Sequence, residues 1–264
     1  MSDGAIRAFP RWSWVPFVLA VALLALPAAG LLSRVGWAEL PALLTSARSL
    51  DALRLSVTTC GIATVIVLLL GVPLATVLAR CNGWWSDAIR ALVTVPMVLP
   101  PVVTGLALLL TFGRRGLVGR HLAAMGIEVG FTTAAVVIAQ AFVALPYLVT
   151  SLEGALRAHG TRYEQAAASL GASPSRVFWR VTVPLVMPAL ASGTALALAR
   201  ALGEFGATLT FAGSLQGRTR TLPLEIYLLR ESDTDVAIAL AVVLIALALG
   251  IVSLSAVLRR RSER

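Results

Sequence analysis

The chain has 264 residues, of which 58% are hydrophobic and 13% charged, and its mean hydropathy is +0.87. Soluble globular domains contain about half apolar and about a quarter charged residues. The composition therefore excludes an ordinary soluble protein and indicates a membrane protein. The net charge of +9 comes from arginine alone. Arginines that flank apolar spans fix their orientation, so we do not expect nucleic acid as a partner.

Six runs without charged residues are long enough to cross a membrane, which requires about 20 apolar residues. They cover residues 12–33, 55–79, 91–113, 129–152, 181–199 and 236–258. They predict an all-α, polytopic integral membrane protein with six transmembrane helices. The first run resembles a signal peptide in its flanking arginines, but its apolar core is longer than the usual 7–15 residues. We therefore expect it to be retained as a span.

The distribution of arginine predicts the orientation of the spans. Twelve arginines lie on one side of the predicted membrane and nine on the other, and the bias is clearest after the last run, at Arg259, Arg260 and Arg261. Positive residues favour the cytoplasmic side. We therefore expect a cytoplasmic N-terminus (1–11), a membrane domain (12–258) and a cytoplasmic tail (259–264).

The third run contains Pro96, Pro100 and Pro101. Proline removes a helical hydrogen bond, and membrane helices tolerate this where neighbouring helices satisfy the freed groups. The cluster predicts a broken or strongly kinked span. The break either is an ordinary kink or lines a pathway, with Pro100 and Thr104 as candidate lining residues.

Cys60 and Cys81 are predicted to be free thiols. They lie near opposite ends of one predicted helix, about 30 Å apart, whereas a disulfide needs Cα atoms within about 7 Å. The two histidines are isolated in the sequence, and no spacing of Cys and His predicts a metal site.

Residues 153–184 form the longest polar segment on the predicted cytoplasmic side. Thr161 and Glu164 have the spacing of a capping box, and Gly171 suits the left-handed position after a helix. Ser173 and Pro174 are typical of a second helix start. The segment therefore predicts a helix, a glycine hinge and a second helix that runs to Pro184. Small, exposed residues on the first helix would allow another protein to approach its backbone closely, as in helix-in-groove recognition.

This segment resembles a signature of the membrane subunits of bacterial ABC importers: Glu-Ala-Ala, three residues, Gly, nine residues, Ile, any residue, Leu-Pro. The corresponding residues are Gln165, Ala166, Ala167, Gly171, Val181, Val183 and Pro184. All spacings match. Glutamine replaces the signature glutamate, and Glu164 precedes it by one position, so we expect docking to depend on helix shape more than on that charge.

Further segments resemble permeases of molybdate importers. They are residues 96–105, 201–208, 211–213, 217–224 and 226–227. Permeases for sulfate and thiosulfate are similar around Gly203 and Glu204 but differ after them. The resemblance therefore favours molybdate or tungstate over sulfate.

The resemblance implies a bacterial inner membrane as the location. It also implies an assembly of two copies of this permease subunit, two ATPase subunits and a periplasmic or lipid-anchored oxyanion-binding protein. The sequence has no Gly-x-x-x-x-Gly-Lys-Ser/Thr phosphate loop. ATP would therefore be used by the partner, and this chain would bind no cofactor and catalyse no reaction itself. The residues expected to couple it to the ATPase are Glu164, Gln165, Ala166, Ala167, Gly171 and Pro184.

Arg200 and Glu204 are spaced to pair on one helix face at membrane depth. The pair either fixes helix packing or belongs to a gate for the oxyanion, with Thr104, Thr194 and Thr208 as further lining candidates. Outside the membrane, Arg218 and Arg220 either contact the binding protein or lie in a solvated loop.

Two other functions are alternatives for a polytopic membrane protein. A secondary transporter would need no ATPase, and inverted repeats of hydropathy are typical of it, but we find no convincing repeat. A membrane-embedded enzyme would need paired carboxylates, a Ser/Lys pair or metal ligands at membrane depth. Only Arg200 and Glu204 are predicted to lie that deep.

Overall fold

The computed structural model describes residues 10–262, and within this range the regular structure is helical, without strands. The predicted N-terminal segment up to residue 9 and the last two residues of the predicted tail lie outside it. The described helices are α1 (Trp14–Leu32), α2 (Leu40–Leu44), α3 (Ala47–Arg80), α4 (Trp84–Val98), α5 (Pro101–Phe112), α6 (Gly119–Ala124), α7 (Thr133–His159), α8 (Arg162–Ser169), α9 (Pro174–Leu202), α10 (Gly206–Ala212), α11 (Leu222–Ser232) and α12 (Thr234–Ser262).

Five helices, α1, α3, α7, α9 and α12, are long and apolar enough to cross a membrane. Several extend beyond the predicted apolar runs, because charged residues continue a helix past the hydrocarbon. Helix α3, for example, begins at Ala47, eight residues before the predicted run at residue 55, since the Ser46 hydroxyl caps it by accepting from the Ser49 amide at 3.2 Å. The helical membrane architecture is confirmed, and the five spans become the predicted six where the bent pair counts as one span.

The bent pair is α4 and α5, and the chain bends by 117° between them. Leu99 and Pro100 between them are extended, with ψ of 134° and 139°. Each of these residues precedes a proline, and proline disfavours the helical conformation of the residue before it. Pro101 then occupies the first turn of α5, where its missing amide is not needed. The predicted break in the third span is confirmed.

Helices α3 and α7 run parallel. This arrangement determines whether the bent pair crosses the membrane once or returns to the side where it begins. At one end, Arg157 Nη2 of α7 donates to the Leu78 carbonyl of α3 at 3.3 Å. At the other, Ser56 of α3 accepts from the Leu222 amide at 2.7 Å, and Thr133 of α7 donates to the Arg218 carbonyl at 2.8 Å. The chain from residue 81 to residue 132 must therefore pass from one end of the bundle to the other, and α4 and α5 together make that passage.

The core lies where α3, α7 and α9 meet. Val67, Leu148 and Ala201 are buried there. Small residues allow the close approach of these helices: a Cβ atom on Gly71 would lie 3.0 Å from a Leu148 methyl group. Helix α1 has no buried residues, and five of its six leucines are exposed, as expected of a helix that faces lipid. Cys60 and Cys81 are free thiols, as predicted.

Candidate coupling loop and pathway residues

The polar segment after α7 forms a helix, a tight turn and a second helix, as the sequence predicts. Gly171 has a φ of 81°, which favours glycine. Its amide donates to the Ala168 carbonyl at 2.9 Å, and the Ala172 amide donates to the Ala167 carbonyl at 3.1 Å. These two bonds form a Schellman motif. Ser173 then caps α9 by accepting from the Arg176 amide at 3.4 Å.

The predicted capping box is wrong. Thr161 occupies the N-cap position of α8, but its side chain makes no capping hydrogen bond. The Glu164 carboxylate instead forms an ion pair with Arg80 and accepts from the Thr182 hydroxyl at 2.6 Å. A guanidinium is a stronger partner for a carboxylate than a backbone amide is, so Glu164 faces the bundle and not its own helix terminus.

The outer face of α8 is exposed and partly apolar. Gln165 and Ala166 are exposed, whereas Ala167 is partly buried, so one of the predicted small contact residues is less accessible than expected. The Leu170 side chain is 89% exposed and that of Tyr163 61%. The face thus combines two large apolar side chains with small residues, a composition suited to a partner's groove.

The second helix does not end at Pro184, although Pro184 itself is exposed. Residues Phe178–Thr182 form a π-helical turn, after which the helix continues to Leu202. Proline has no amide hydrogen and its ring crowds the preceding turn. The wider π turn before Pro184 accommodates this and lets one helix run from the polar segment into the bundle.

A second ionic network near the same end was not predicted. The Glu153 carboxylate accepts from Arg90 at 2.7 Å and from Arg157 at 3.0 Å. Arg90 also donates to the carbonyls of Leu78 and Cys81, at 2.7 and 3.0 Å. These bonds hold the C-terminal end of α3 against α4 and α7. Only the i,i+4 spacing of Glu153 and Arg157 could have indicated it from sequence.

Arg200 and Glu204 form the predicted ion pair, with 2.7 Å between Nη1 and Oε2. The helix ends at Leu202, so Glu204 lies just beyond it. The Glu204 side chain is 1% exposed, and its other oxygen accepts from the Ala207 amide at 2.8 Å. Glu204 therefore both neutralises Arg200 and caps α10.

The remaining pathway candidates divide between exposed and buried positions. Pro100 is exposed at the break, whereas Thr104 and Thr208 are buried within this chain. Thr208 Oγ1 has no hydrogen-bond partner among the described residues. The burial follows from close packing of α5 on α10, where a Cβ atom on Gly105 would lie 2.8 Å from the Ala207 carbonyl oxygen.

The two arginines of the segment after α10 have different environments. Arg220 points inward: it pairs with the buried Glu225 at 3.3 Å and donates to Ser214 at 3.2 Å. Arg220 is therefore engaged within the chain, although its side chain is still 23% exposed, and its contact with a binding protein stays a prediction. Arg218 is exposed and lines a cavity of about 450 Å³ that Arg114 and Glu128 also line.

Comparison with known proteins identifies the family. The chain is 57% identical over 224 residues to the molybdenum transport system permease protein ModB of Mycobacterium tuberculosis, covering 85% of each chain. It is 40% identical over 180 residues to ModB of Escherichia coli, covering 68% of this chain and 79% of that protein.

Solved structures share the fold at low sequence identity. A bacterial alginate ABC transporter, crystallised with its alginate pentasaccharide-bound periplasmic protein, has a chain that matches with a TM-score of 0.72 at 18% identity, covering 95% of this chain and 94% of that one. The methionine ABC transporter MetNI, in an inward-facing conformation, matches with a TM-score of 0.63, covering 81% and 96%. Residues 68–263 match the family model of the binding-protein-dependent transport system inner membrane component, and the chain belongs to that family.

Proposed function

We propose that this chain is the permease subunit of an ATP-driven importer of a tetrahedral oxyanion, with molybdate as the preferred substrate. The main support for the substrate is the 57% identity to a relative named for molybdenum transport. The main support for ATP-driven import is the exposed helix α8, which stands at one end of the bundle on a defined glycine turn. Tungstate and sulfate remain as competing substrates.

The proposed partner at α8 is a separate ABC ATPase subunit. Its groove would receive the face that carries Tyr163, Gln165, Ala166 and Leu170, with Gly171 maintaining the turn behind it. Ala167 and Pro184 would lie at the margin. The sequence predicts Glu164 as one of the residues that couple the chain to the ATPase. Its carboxylate is already bound by Arg80 and Thr182, so it would act by holding α8 to the bundle. ATP would bind to the partner only.

The end of the bundle that carries α8 would face the cytoplasm. With six crossings, both chain termini would lie at that end, and the segment from residue 213 to residue 235 would face outward to a periplasmic or lipid-anchored oxyanion-binding protein. Arg218 is the exposed candidate for that contact. The setting would be the lipid of a bacterial inner membrane.

A second copy of the chain would pack against the exposed apolar face of α4 and α5. Val98 is 82% exposed there, Val102 64% and Leu110 64%. A pathway between two such faces would place Pro100 at its lining, while Thr104, Arg200, Glu204 and Thr208 would support it from behind. Hydrogen-bond donors and limited charge suit the passage of an anion that must also be released.

Uptake by proteoliposomes tests the proposal. The chain is co-expressed with its candidate ATPase and binding protein, and uptake of labelled molybdate is measured with competing tungstate and sulfate. We expect ATP-dependent uptake in which unlabelled molybdate competes best. Uptake without the ATPase would instead support a secondary transporter, and stronger competition by sulfate would reassign the substrate.

The variant Gly171→Arg tests the docking helix. A large residue with positive φ would disturb the turn after α8, so we expect loss of ATPase co-purification. Gly154→Arg is the matched control, because Gly154 is an exposed helical position of α7 where an added Cβ meets nothing within 4 Å. Equal co-purification of both variants with the ATPase would contradict docking at α8.

A further inference from the structure

One carboxylate joins three helices at the end of the bundle that carries α8. Glu164 of α8 pairs with Arg80, the last residue of α3, and the same oxygen accepts from Thr182 of α9 at 2.6 Å. Arg80 also donates to the Gly160 carbonyl, just before α8, at 3.2 Å. We call Arg80, Glu164 and Thr182 the clasp.

The clasp residues are less exposed to solvent than the outer face of α8. Thr182 is 4% exposed, and the side chains of Glu164 and Arg80 are 18% and 25% exposed. An open groove of about 420 Å³ lies between α8, α9 and the end of α3, and the three clasp residues line it together with Thr76 and Phe178. The packing of α8 is therefore loose around the clasp. Charge-assisted hydrogen bonds are stronger and more directional than loose apolar contacts.

Helix α3 connects the clasp to the opposite end of the bundle. Its Ser56 is fully buried and accepts from the Leu222 amide at 2.7 Å. Leu222 begins α11 and follows Arg220, which pairs with the buried Glu225 of that helix. A continuous helix of 34 residues thus has α8 attached at one end and the segment proposed to face the binding protein at the other.

We infer that the clasp transmits displacement of α8 to α3, and through Ser56 to the outward segment, so that binding-protein docking and the ATPase cycle are coupled along α3. This inference rests on the proposed function. Arg80, Glu164 and Thr182 are positioning residues: they touch neither the oxyanion nor ATP. Coupling between distant sites has a physical basis where both sites bias the state of one element, and the contacts at both ends of α3 assign that role to it.

Charge reversal of the ion pair tests the clasp in the complete transporter, reconstituted with ATPase and molybdate-loaded binding protein. The measured quantity is the ratio of ATPase activity with binding protein to that without it. We expect Arg80→Glu and Glu164→Arg each to lower this ratio about tenfold, a typical size for coupling between sites. The double variant Arg80→Glu/Glu164→Arg should recover most of the loss, because it restores opposite charges at the same positions.

The hydroxyl of Thr182 provides a second, milder test. Thr182→Val removes the donor at nearly constant volume and should lower the ratio about threefold, as loss of one hydrogen bond does. Thr182→Ser keeps the hydroxyl and should match the wild type. Thr76→Val is the matched control, because Thr76 lines the same groove but donates to the Val72 carbonyl of its own helix at 2.8 Å.

Co-purification of the ATPase distinguishes the possible failures. The amount bound by Arg80→Glu should stay near that of the wild type. The inference is overturned if the wild type transports and both single reversals keep its stimulation ratio, or if the reversals lower assembly and activity together without rescue by the double variant. If the wild type neither binds the ATPase nor takes up molybdate, the proposed function fails and the inference fails with it.

Discussion

At the residue scale, the polar groups of this chain mostly serve more than one partner. Glu204 neutralises Arg200 and caps α10, and Glu153 holds both Arg90 and Arg157. Charged groups that are removed from water need such partners, because an unpaired ionised group is costly in an apolar environment. The removal of one residue from such a pair therefore disturbs the other more than the loss of one bond would suggest.

Substitutions of Arg200 and of Glu204 should therefore lower the stability of the protein by unequal amounts. Arg200→Ala leaves a buried carboxylate without its ion-pair partner and should destabilise the protein by about 3–5 kcal/mol. Glu204→Gln keeps an acceptor for the Ala207 amide and should cost about 1 kcal/mol. The combination Arg200→Ala/Glu204→Gln should therefore be more stable than Arg200→Ala alone. Thermal unfolding of the purified variants measures the order of their stabilities.

Uptake by the same variants separates the packing and gating interpretations. If the pair serves packing, uptake should follow the thermal stability of each variant. A stable variant such as Glu204→Gln with no uptake would instead favour a gate. No stabilisation of Arg200→Ala by the added Glu204→Gln change would contradict the unpaired-charge argument.

At the element scale, the bent pair depends on a close contact as well as on its prolines. The prolines at 100 and 101 cause the bend between α4 and α5. Because Gly105 has no side chain, α5 can then pack directly on α10. A Cβ atom on Gly105 would lie 2.6 Å from the Thr210 Cβ atom and 2.8 Å from the Ala207 carbonyl oxygen. These contacts are too short to be absorbed by rotation of a flexible side chain.

Gly105→Ala should therefore separate α5 from α10 and destabilise the protein by about 1–3 kcal/mol, the usual cost of overpacking. Gly61→Ala is the control: it also adds one methyl group within a membrane-spanning helix, but nothing lies within 4 Å of the added Cβ. The thermal unfolding temperature and the rate of uptake should both be lower for Gly105→Ala and unchanged for Gly61→Ala. Equal behaviour of the two variants would contradict the proposed role of the close contact.

At the scale of the whole molecule, the parallel arrangement of α3 and α7 determines the topology. The bent pair taken alone is compatible with a broken span or with a re-entrant loop. A re-entrant loop would return residue 113 to the end of the bundle where α3 finishes, and α7 would then run antiparallel to α3. The hydrogen bond from Arg157 to Leu78 joins their C-terminal ends and so requires a crossing.

Labelling of single cysteines tests this topology in intact cells. In a background with Cys60→Ala and Cys81→Ser, a membrane-impermeant maleimide should label the exposed positions Ala124→Cys and Gln216→Cys from outside. Ser169→Cys on α8 should be labelled only after the cells are permeabilised. Labelling of Ala124→Cys only after permeabilisation would indicate a re-entrant pair.

The sequence by itself determined the helical membrane architecture, because runs of about 20 apolar residues have few other stable solutions. It also determined the local features whose causes lie within a few residues: the proline break at 99–100, the glycine turn at Gly171 and the pairing of Arg200 with Glu204. Only the tertiary structure decided the partners of Glu164, since Arg80 and Thr182 are 84 and 18 residues away in the chain. The same holds for the inward turn of Arg220 and the burial of Thr104 and Thr208. A carboxylate takes its strongest available partner, and which partner is available depends on how the helices pack, which no local spacing encodes.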